Sequence, residues 1–264
     1  NAVRFGNLML GLRFDYIFGS IQEEDRFFLD GLRPTAFGNS VVNGNATFSQ
    51  VTGSVGMVYK MLVGEFKYIN FGGYYEPQYN LRQKTFITLE NQTGAGGVFS
   101  TDTLINNVET QLTIPQRIGF GLSYEFTRKI AVGIDFHTQD WTQYRRSDGQ
   151  ANDNLGESFK IAVGGEFIPD YQSASKVERI TYRFGVHYEQ TPFLIDNKEV
   201  NDLGISFGVS TPLNAVWGLS HVTLGGTIGQ RGDIADGLVR ERYIKVYLGF
   251  SLQDVTWFSK TRFN

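Results

Sequence analysis

Cysteine is absent from all 264 residues, which removes disulfides, thiolate metal ligands and thiol catalysis together. Such a chain suits passage, unfolded, through an oxidising periplasm. Long hydrophobic runs are also missing. Nothing approaches the ~20 consecutive apolar residues of a membrane helix, and the mean hydropathy is −0.22. That excludes helical spans only, because a β-barrel hides its hydrophobicity in alternation. Neither sign of charge dominates: a net charge of −3 gives a nucleic-acid partner no electrostatic support. The opening residues, NAVRFGNLML, lack the basic segment, apolar run and cleavage site of a secretory signal. The chain is therefore expected to be processed, truncated or incompletely represented.

Glycine and aromatics are abundant instead, with 31 Gly, 22 Phe and 13 Tyr. Glycine weakens strands unless backbones approach closely or the sheet bends. Aromatics in excess fit rings at the two interfaces of a membrane barrel. The clearest pattern is RIGFGLSYEFTRKIAVGIDFH, Arg117 to His137. Ile118, Phe120, Leu122, Tyr124 and Phe126 alternate with Gly119, Gly121, Ser123 and Glu125. After Thr127–Lys129, Ile130, Val132, Ile134 and Phe136 alternate with Ala131, Gly133, Asp135 and His137. Period two over that length is a hairpin with one greasy and one polar face.

The same pattern predicts ten strands: Phe5–Gly19, Thr47–Lys60, Glu65–Glu90, Val108–Phe126, Ile130–His137, Ser158–Ile168, Arg179–Glu189, Leu203–Thr211, His221–Gly229 and Tyr243–Gln253. Glu65–Glu90 reads as one very long strand in a single phase, with Pro77 a local interruption rather than a turn. No helical pattern intervenes, so βαβ architectures are excluded. Connections alternate. Those at Leu62–Gly64, Thr127–Lys129, Pro169–Lys176 and Pro212–Gly218 are mostly shorter. Those at Gln22–Asn45, Asn91–Asn107, Gln139–Gly156, Thr191–Asp202 and Gln230–Arg240 are mostly longer and more polar. Short periplasmic turns and long extracellular loops are the outer-membrane arrangement, and an even strand number returns both ends to the short-turn side.

Charge decides between lipid and a protein core as the neighbour of the apolar face. That phase holds almost no Lys, Arg, Asp or Glu, as expected where a lipid-facing Arg or Lys at the midplane costs ~2–4 kcal/mol. The predicted fold is all-β, a transmembrane antiparallel up-and-down β-barrel forming a single domain over residues 1–264. Candidate lumen or ligand residues on the polar phase are Arg13, Arg82, Lys84, Arg117, His137, Arg183 and His187. Arg117 and Arg183 are the best guesses for a carboxylate headgroup, because guanidinium matches carboxylate geometry. The competing reading is a narrow lumen filled with mutually paired charges, since unpaired buried charges are costly. Pro115 cannot donate a ladder hydrogen bond, which makes it the candidate break in the wall, against a simple kink at the membrane edge.

Catalysis is not expected. His137, His187 and His221 all fall on inward phases, and no Ser has a His and an acid at useful spacing. The Asp148/Asp153 and Asp233/Asp236 pairs lack calcium-loop spacing, so neither metal nor cofactor is expected.

Several stretches resemble the FadL/TodX family of outer-membrane transporters: Ile114-Pro115 leading into GFGLSYEF, KIAVGIDFHTQDW ending at Trp141, YRFGVHYEQTPF (Tyr182–Phe193) and FGGYYEPQY (Phe71–Tyr79). The closing segment GGTIGQRGDIADGLVRERYIKVYLGFSLQDVTWF looks like the last hairpin of Bacteroidetes-type members. The resemblance implies a fourteen-stranded barrel plugged by an N-terminal hatch, of which the strands here look like the fifth to fourteenth. The hatch and first four strands are then expected to be missing from this chain. Asp254–Asn264 departs from the usual aromatic barrel end, with Trp257 and Phe258 as candidate interfacial aromatics.

By that resemblance the function is passive transport, across the bacterial outer membrane, of hydrophobic molecules such as long-chain fatty acids through a plugged lumen. Outer-membrane lipid and lipopolysaccharide are the implied surroundings. The alternative is a non-transporting barrel subunit of a larger outer-membrane secretion or assembly complex, with a protein partner.

Overall fold

The computed structural model describes residues 6–27, 39–93, 97–212, 220–234 and 239–251. Twelve strand segments form one antiparallel sheet. They are β1 (Asn7–Phe27), β2 (Ser40–Gly64), β3 (Lys67–Glu76), β4 (Tyr79–Gln92), β5 (Val98–Ile114), β6 (Arg117–Phe126), β7 (Ile130–Asp140), β8 (Glu157–Phe167), β9 (Thr181–Ile195), β10 (Lys198–Pro212), β11 (His221–Arg231) and β12 (Glu241–Ser251). A short 3₁₀ turn, Trp141–Gln143, follows β7.

Two pairs of segments are single strands in all but hydrogen bonding. β2 carries β3 along its inner part and β4 along its outer part. β6 pairs with β3 and β5 with β4, with Glu76 opposite Arg117 and Tyr79 opposite Ile114. The chain thus runs straight through Pro77–Gln78 and Pro115–Gln116, and the sheet consists of the ten long strands that alternation predicts. Pro77 interrupts its strand without turning it. The two edge strands, β1 and β12, each pair with one neighbour, and not with one another among the described residues.

Among the described residues no second layer covers the apolar phase. Among the described residues only Val41 and Val200 are buried hydrophobic side chains, whereas Leu10, Phe14, Phe207 and Phe250 are each more than half exposed. Register puts Leu12, Val55, Tyr75 and Ile118 side by side on one face. A sandwich would bury that face under a second layer; here its neighbour is lipid. The row from Leu8 to Phe18 climbs about 25 Å at a rise of about 3.3 Å per residue and a tilt of about 40°, the height of an outer-membrane apolar band.

Strand lengths differ from the sequence reading on the outer side. β1 continues through Gln22 to Phe27 and β2 begins at Ser40, within the expected loop Gln22–Asn45. β5 begins at Val98, within the expected loop Asn91–Asn107. β2 alone has 25 residues, about 80 Å of extended chain. The outer parts of β1, β2, β4 and β5 therefore form a four-stranded blade standing beyond the rim. Thr191–Asp202, expected as a long loop, is strand except for a two-residue turn at Asp196 and Asn197, both at positive φ. Asp and Asn tolerate that conformation better than most residues. The inner turns at Glu65–Phe66 and Thr127–Lys129 are short, and Phe66 and Arg128 take the positive-φ places. Trp257, Phe258 and Asp236 lie outside the described residues.

Candidate functional site

The two interruptions stand side by side, and the pleat inverts across them. Inside the break Tyr75 lies beside Val55, and Ile118 beside Tyr75, on the outward face. Beyond the break Arg82 lies beside Ser49, and Gln111 beside Arg82. Ser49 shares a face with Val51 and Val55 on an uninterrupted β2, so Arg82 and Gln111 also face outward. Arg82 is seven positions on from Tyr75, and Ile118 seven on from Gln111, an odd number, so each strand changes phase once. The apolar row of this hairpin consequently passes through the wall: Tyr75, Ile118 and Phe120 face lipid, while Leu81, Leu112 and Ile114 face inward.

This inversion corrects two candidates. Arg82 and Lys84, set on the inner phase by simple alternation, stand on the outer face of the blade, where Lys84 reaches Glu109 at 3.7 Å. Lys84→Gln should cost less than about 1 kcal/mol in urea unfolding, the worth of an exposed pair with Glu109. A loss of the roughly 3–5 kcal/mol of a broken buried pair would contradict the register.

The ladder between β2 and its neighbour lapses at the same level. Pairing stops at Val55–Tyr75 and resumes at Ser49–Arg82, leaving Gln50–Ser54 unpaired on that side. At Pro115, on the far side of the break from β2, the wall is filled. Pro115 is fully buried, its carbonyl accepts a hydrogen bond from Gln139 Nε2 at 2.9 Å, and the backbone of Arg145 in the β7–β8 loop pairs with Thr113 just beyond. That loop is fastened by Asp140, whose carboxylate accepts from the Thr142 hydroxyl and backbone N–H and from Gln143 Nε2. The Thr142 hydroxyl, aided by those other donors, holds the Asp140 carboxyl below its ordinary value.

On the lumen side a charged cluster spans the lapse. Glu76 Oε2 accepts from Arg117 at 2.7 Å and from Arg13 at 3.3 Å, and Arg13 also holds Asp15 at 2.7 Å. Arg117 lies over the Tyr74 ring, and the Tyr74 hydroxyl is 3.0 Å from His137 Nδ1. Gly119 leaves no room for a Cβ beneath those two rings. Arg13, Arg117 and His137 are thus brought together. Glu76, on which both arginines converge, was not among the sequence candidates.

Beside this cluster the wall is thin. A lumen-side cavity of about 600 Å³ and an outward groove of about 750 Å³ lie back to back, sharing Gly56, Gly72, Gly73 and Gly121. Leu10, Met57, Phe71 and Phe120 line the groove with apolar surface.

Arg183 and His187 belong to a separate region. Arg183 bonds Glu166 at 3.1 Å and donates to the Ser210 hydroxyl; Lys160 bonds Glu189 at 3.0 Å. His187 Nε2 lies 3.3 Å from Asp202, which also accepts from Tyr243 at 2.7 Å and Arg231 at 3.0 Å. Asp202 joins β9, β11 and β12 to β10 with its side chain 3% exposed. Its signal in the sequence is its place in the phase of Gly204 and Ser206, which the loop assignment hid. These charges are paired with one another, as the competing reading of a self-filled lumen has it. Arg179 falls outside β9, in the β8–β9 connection.

Comparison with known proteins gives one family and a shared fold. The BamG family profile matches residues 3–264. No curated protein matches the sequence. Among solved structures, the CymD monoaromatic hydrocarbon channel superposes with a TM-score of 0.56 at 12% identity, covering 96% of this chain and 71% of that one. A Pseudomonas aeruginosa FadL homologue gives 0.53 at 14% identity, covering 88% of this chain and 57% of that one. The second structure is thus spanned over little more than half its length. At such identities the likeness establishes the fold, an outer-membrane-type barrel. The resemblance to FadL/TodX holds at that level, under a different family label.

Proposed function

We propose, for a chain that belongs to the BamG family, passive passage of hydrophobic molecules across the bacterial outer membrane, with long-chain fatty acids as the first candidates. The observation that carries this reading is the inversion at Pro77 and Pro115. An apolar row faces inward on the blade, at Leu81, Leu112 and Ile114, and outward in the bilayer, at Tyr75, Ile118 and Phe120. An apolar ligand caught inside the blade has greasy contacts on both sides of the wall, and its way between them is the lapsed pairing opposite Gln50–Ser54. The charged lumen, where Lys160, Glu166, Arg183 and Glu189 pair with each other, is a poor path for such a molecule because transfer past charge forfeits apolar contact. The hydrocarbon channel and the FadL homologue that share the fold agree with this class of ligand.

The absence of cysteine permits a clean test. Thr52 lies in the unpaired stretch of β2 and Gln78 in the facing interruption between β3 and β4, so Thr52→Cys and Gln78→Cys give a pair that can be crosslinked across the lapse. The oxidised pair, reconstituted in vesicles, should take up labelled fatty acid no faster than empty vesicles, and reduction should restore uptake. Equal uptake in both states would refute a sideways path.

A second reading has its own support. The family label differs from that of the fold neighbours, and the blade stands beyond the rim with the outer parts of β1 and β5 at its two edges. Both suit a barrel subunit of a larger outer-membrane complex. Purification from native membranes with a stoichiometric partner, and vesicle uptake equal to that of empty vesicles, would favour it.

A further inference from the structure

The lapse in the wall leaves five residues of β2, Gln50–Ser54, without ladder partners on one side. Side chains cross where backbone bonds do not. Arg13 sits on β1, beyond β2, and reaches Glu76 on β3 at 3.3 Å; Arg117 on β6 reaches the same oxygen from the other direction at 2.7 Å. The span works because β2 presents only Thr52, Gly53 and Ser54 beneath it, opposite Asp15, Phe14 and Arg13. A larger residue at Gly53 would collide with the Arg13 backbone.

From this geometry we infer that Glu76 is the latch of the wall. Its carboxylate, bridging two arginines from opposite sides of the lapse, holds β1–β2 against β3–β6 in the closed arrangement. The inference rests on the sideways path proposed above and adds how that path is kept shut. Several features fit a latch rather than a fixed weld. Glu76 is only 14% exposed, whereas Arg13 and Arg117 are 55% and 41% exposed, so water can take over either guanidinium when the clasp parts. Thr52 Oγ1, in the unpaired stretch, is buried without a hydrogen-bond partner. Buried orphan groups are costly, and the closed state therefore carries a penalty that opening relieves. Removing the Glu76 charge takes away the interaction opposing that relief, while the continuous β1–β2 and β3–β6 ladders keep the strands themselves intact.

The test reads the seam directly. Thr52 is 9% exposed; in a Thr52→Cys protein held in lipid nanodiscs, reaction with a small maleimide reports opening. Adding Glu76→Gln should raise the rate at least fivefold, Glu76→Asp should raise it less, and a Ser49→Cys reporter on the exposed outer face should react equally in both backgrounds. An unchanged rate for the Thr52→Cys thiol in folded Glu76→Gln protein overturns the latch. A rise confined to that thiol supports it, and vesicle uptake measured on the same variant then judges the path separately. Faster labelling without faster fatty-acid uptake keeps the latch and rejects the ligand route. Equal acceleration at Ser49→Cys would mean general loosening and would also overturn the latch.

Discussion

Leu122→Arg is expected to destabilise the barrel by about 2–4 kcal/mol in phospholipid vesicles, the cost of a cation near the midplane of the apolar band. Leu122 sits at the centre of the outward row Ile118–Phe126, between Phe71 on β3 and Ile134 on β7. Its side chain has only lipid to meet, and an Arg there must snorkel along the wall or draw water into the bilayer. The informative comparison is Gln111→Arg. Simple alternation along this strand gives residue 111 the parity of the lumen and residue 122 that of lipid. With the inversion both face outward, yet Gln111 is exposed at the outer edge of the band, in register with Phe18 through Arg82 and Ser49, so its substitution should stay within about 1 kcal/mol. Urea unfolding in vesicles, with the midpoint compared at constant slope, measures both. A neutral Leu122→Arg would mean that water, not lipid, bathes the apolar face.

The fold was legible wherever lipid enforces the pattern. Between Leu8 and Phe18, or along the Ile118–Phe136 hairpin, one face must be apolar, and period two stands out. Beyond the band that pressure ends. Gln22–Phe27 pairs with Ser40–Asn45 residue for residue, yet both faces are wet there and the sequence reads as loop. The β9–β10 turn was hidden in a similar way: Asp196 and Asn197 are suitable positive-φ residues, but the polar strand ends beside them blurred into a longer connection.

The candidate site was legible in its parts more than in its grouping. Arg13, Arg117 and His137 were found because alternation places them on the inner face, where they meet. Arg82 and Lys84 were misplaced because the apolar residues keep one parity from Ile69 to Leu89 while the backbone does not. Two unpaired residues at Pro77–Gln78 change the pleat without disturbing the sequence pattern, and only pairing with β2 exposes it. Pro115 signalled a missing donor but not the matching interruption beside it. Glu76 and Asp202 look like any other inward carboxylates. Their importance comes from donors converging out of distant strands, information that a single strand's spacing does not hold.

Asp202 supports the second large expected effect. A buried carboxylate is tolerated only when its lone pairs are filled. Here Tyr243, Arg231 and His187 fill them from three strands. Gly204 and Gly229 make room for the His187 and Tyr243 rings, having no Cβ to meet them. Asp202→Ala strands these donors together, but Arg231 is 45% exposed and can be rehydrated. The expected loss is therefore about 2–3 kcal/mol, below the roughly 3–5 kcal/mol of a fully buried broken pair. Tyr243→Phe alone should cost about 1 kcal/mol, the worth of one hydrogen bond. The double variant should cost less than the sum of the singles, because both remove the same contact. The damage should also be local. β12 has β11 as its sole partner among the described residues, and Tyr243 tethers it across to β10. Amide hydrogens of Glu241–Ser251 in Asp202→Ala should therefore exchange faster than those of β6 and β7, whereas uniform acceleration through the whole sheet would make Asp202 a general support and not the pin of the β12 edge.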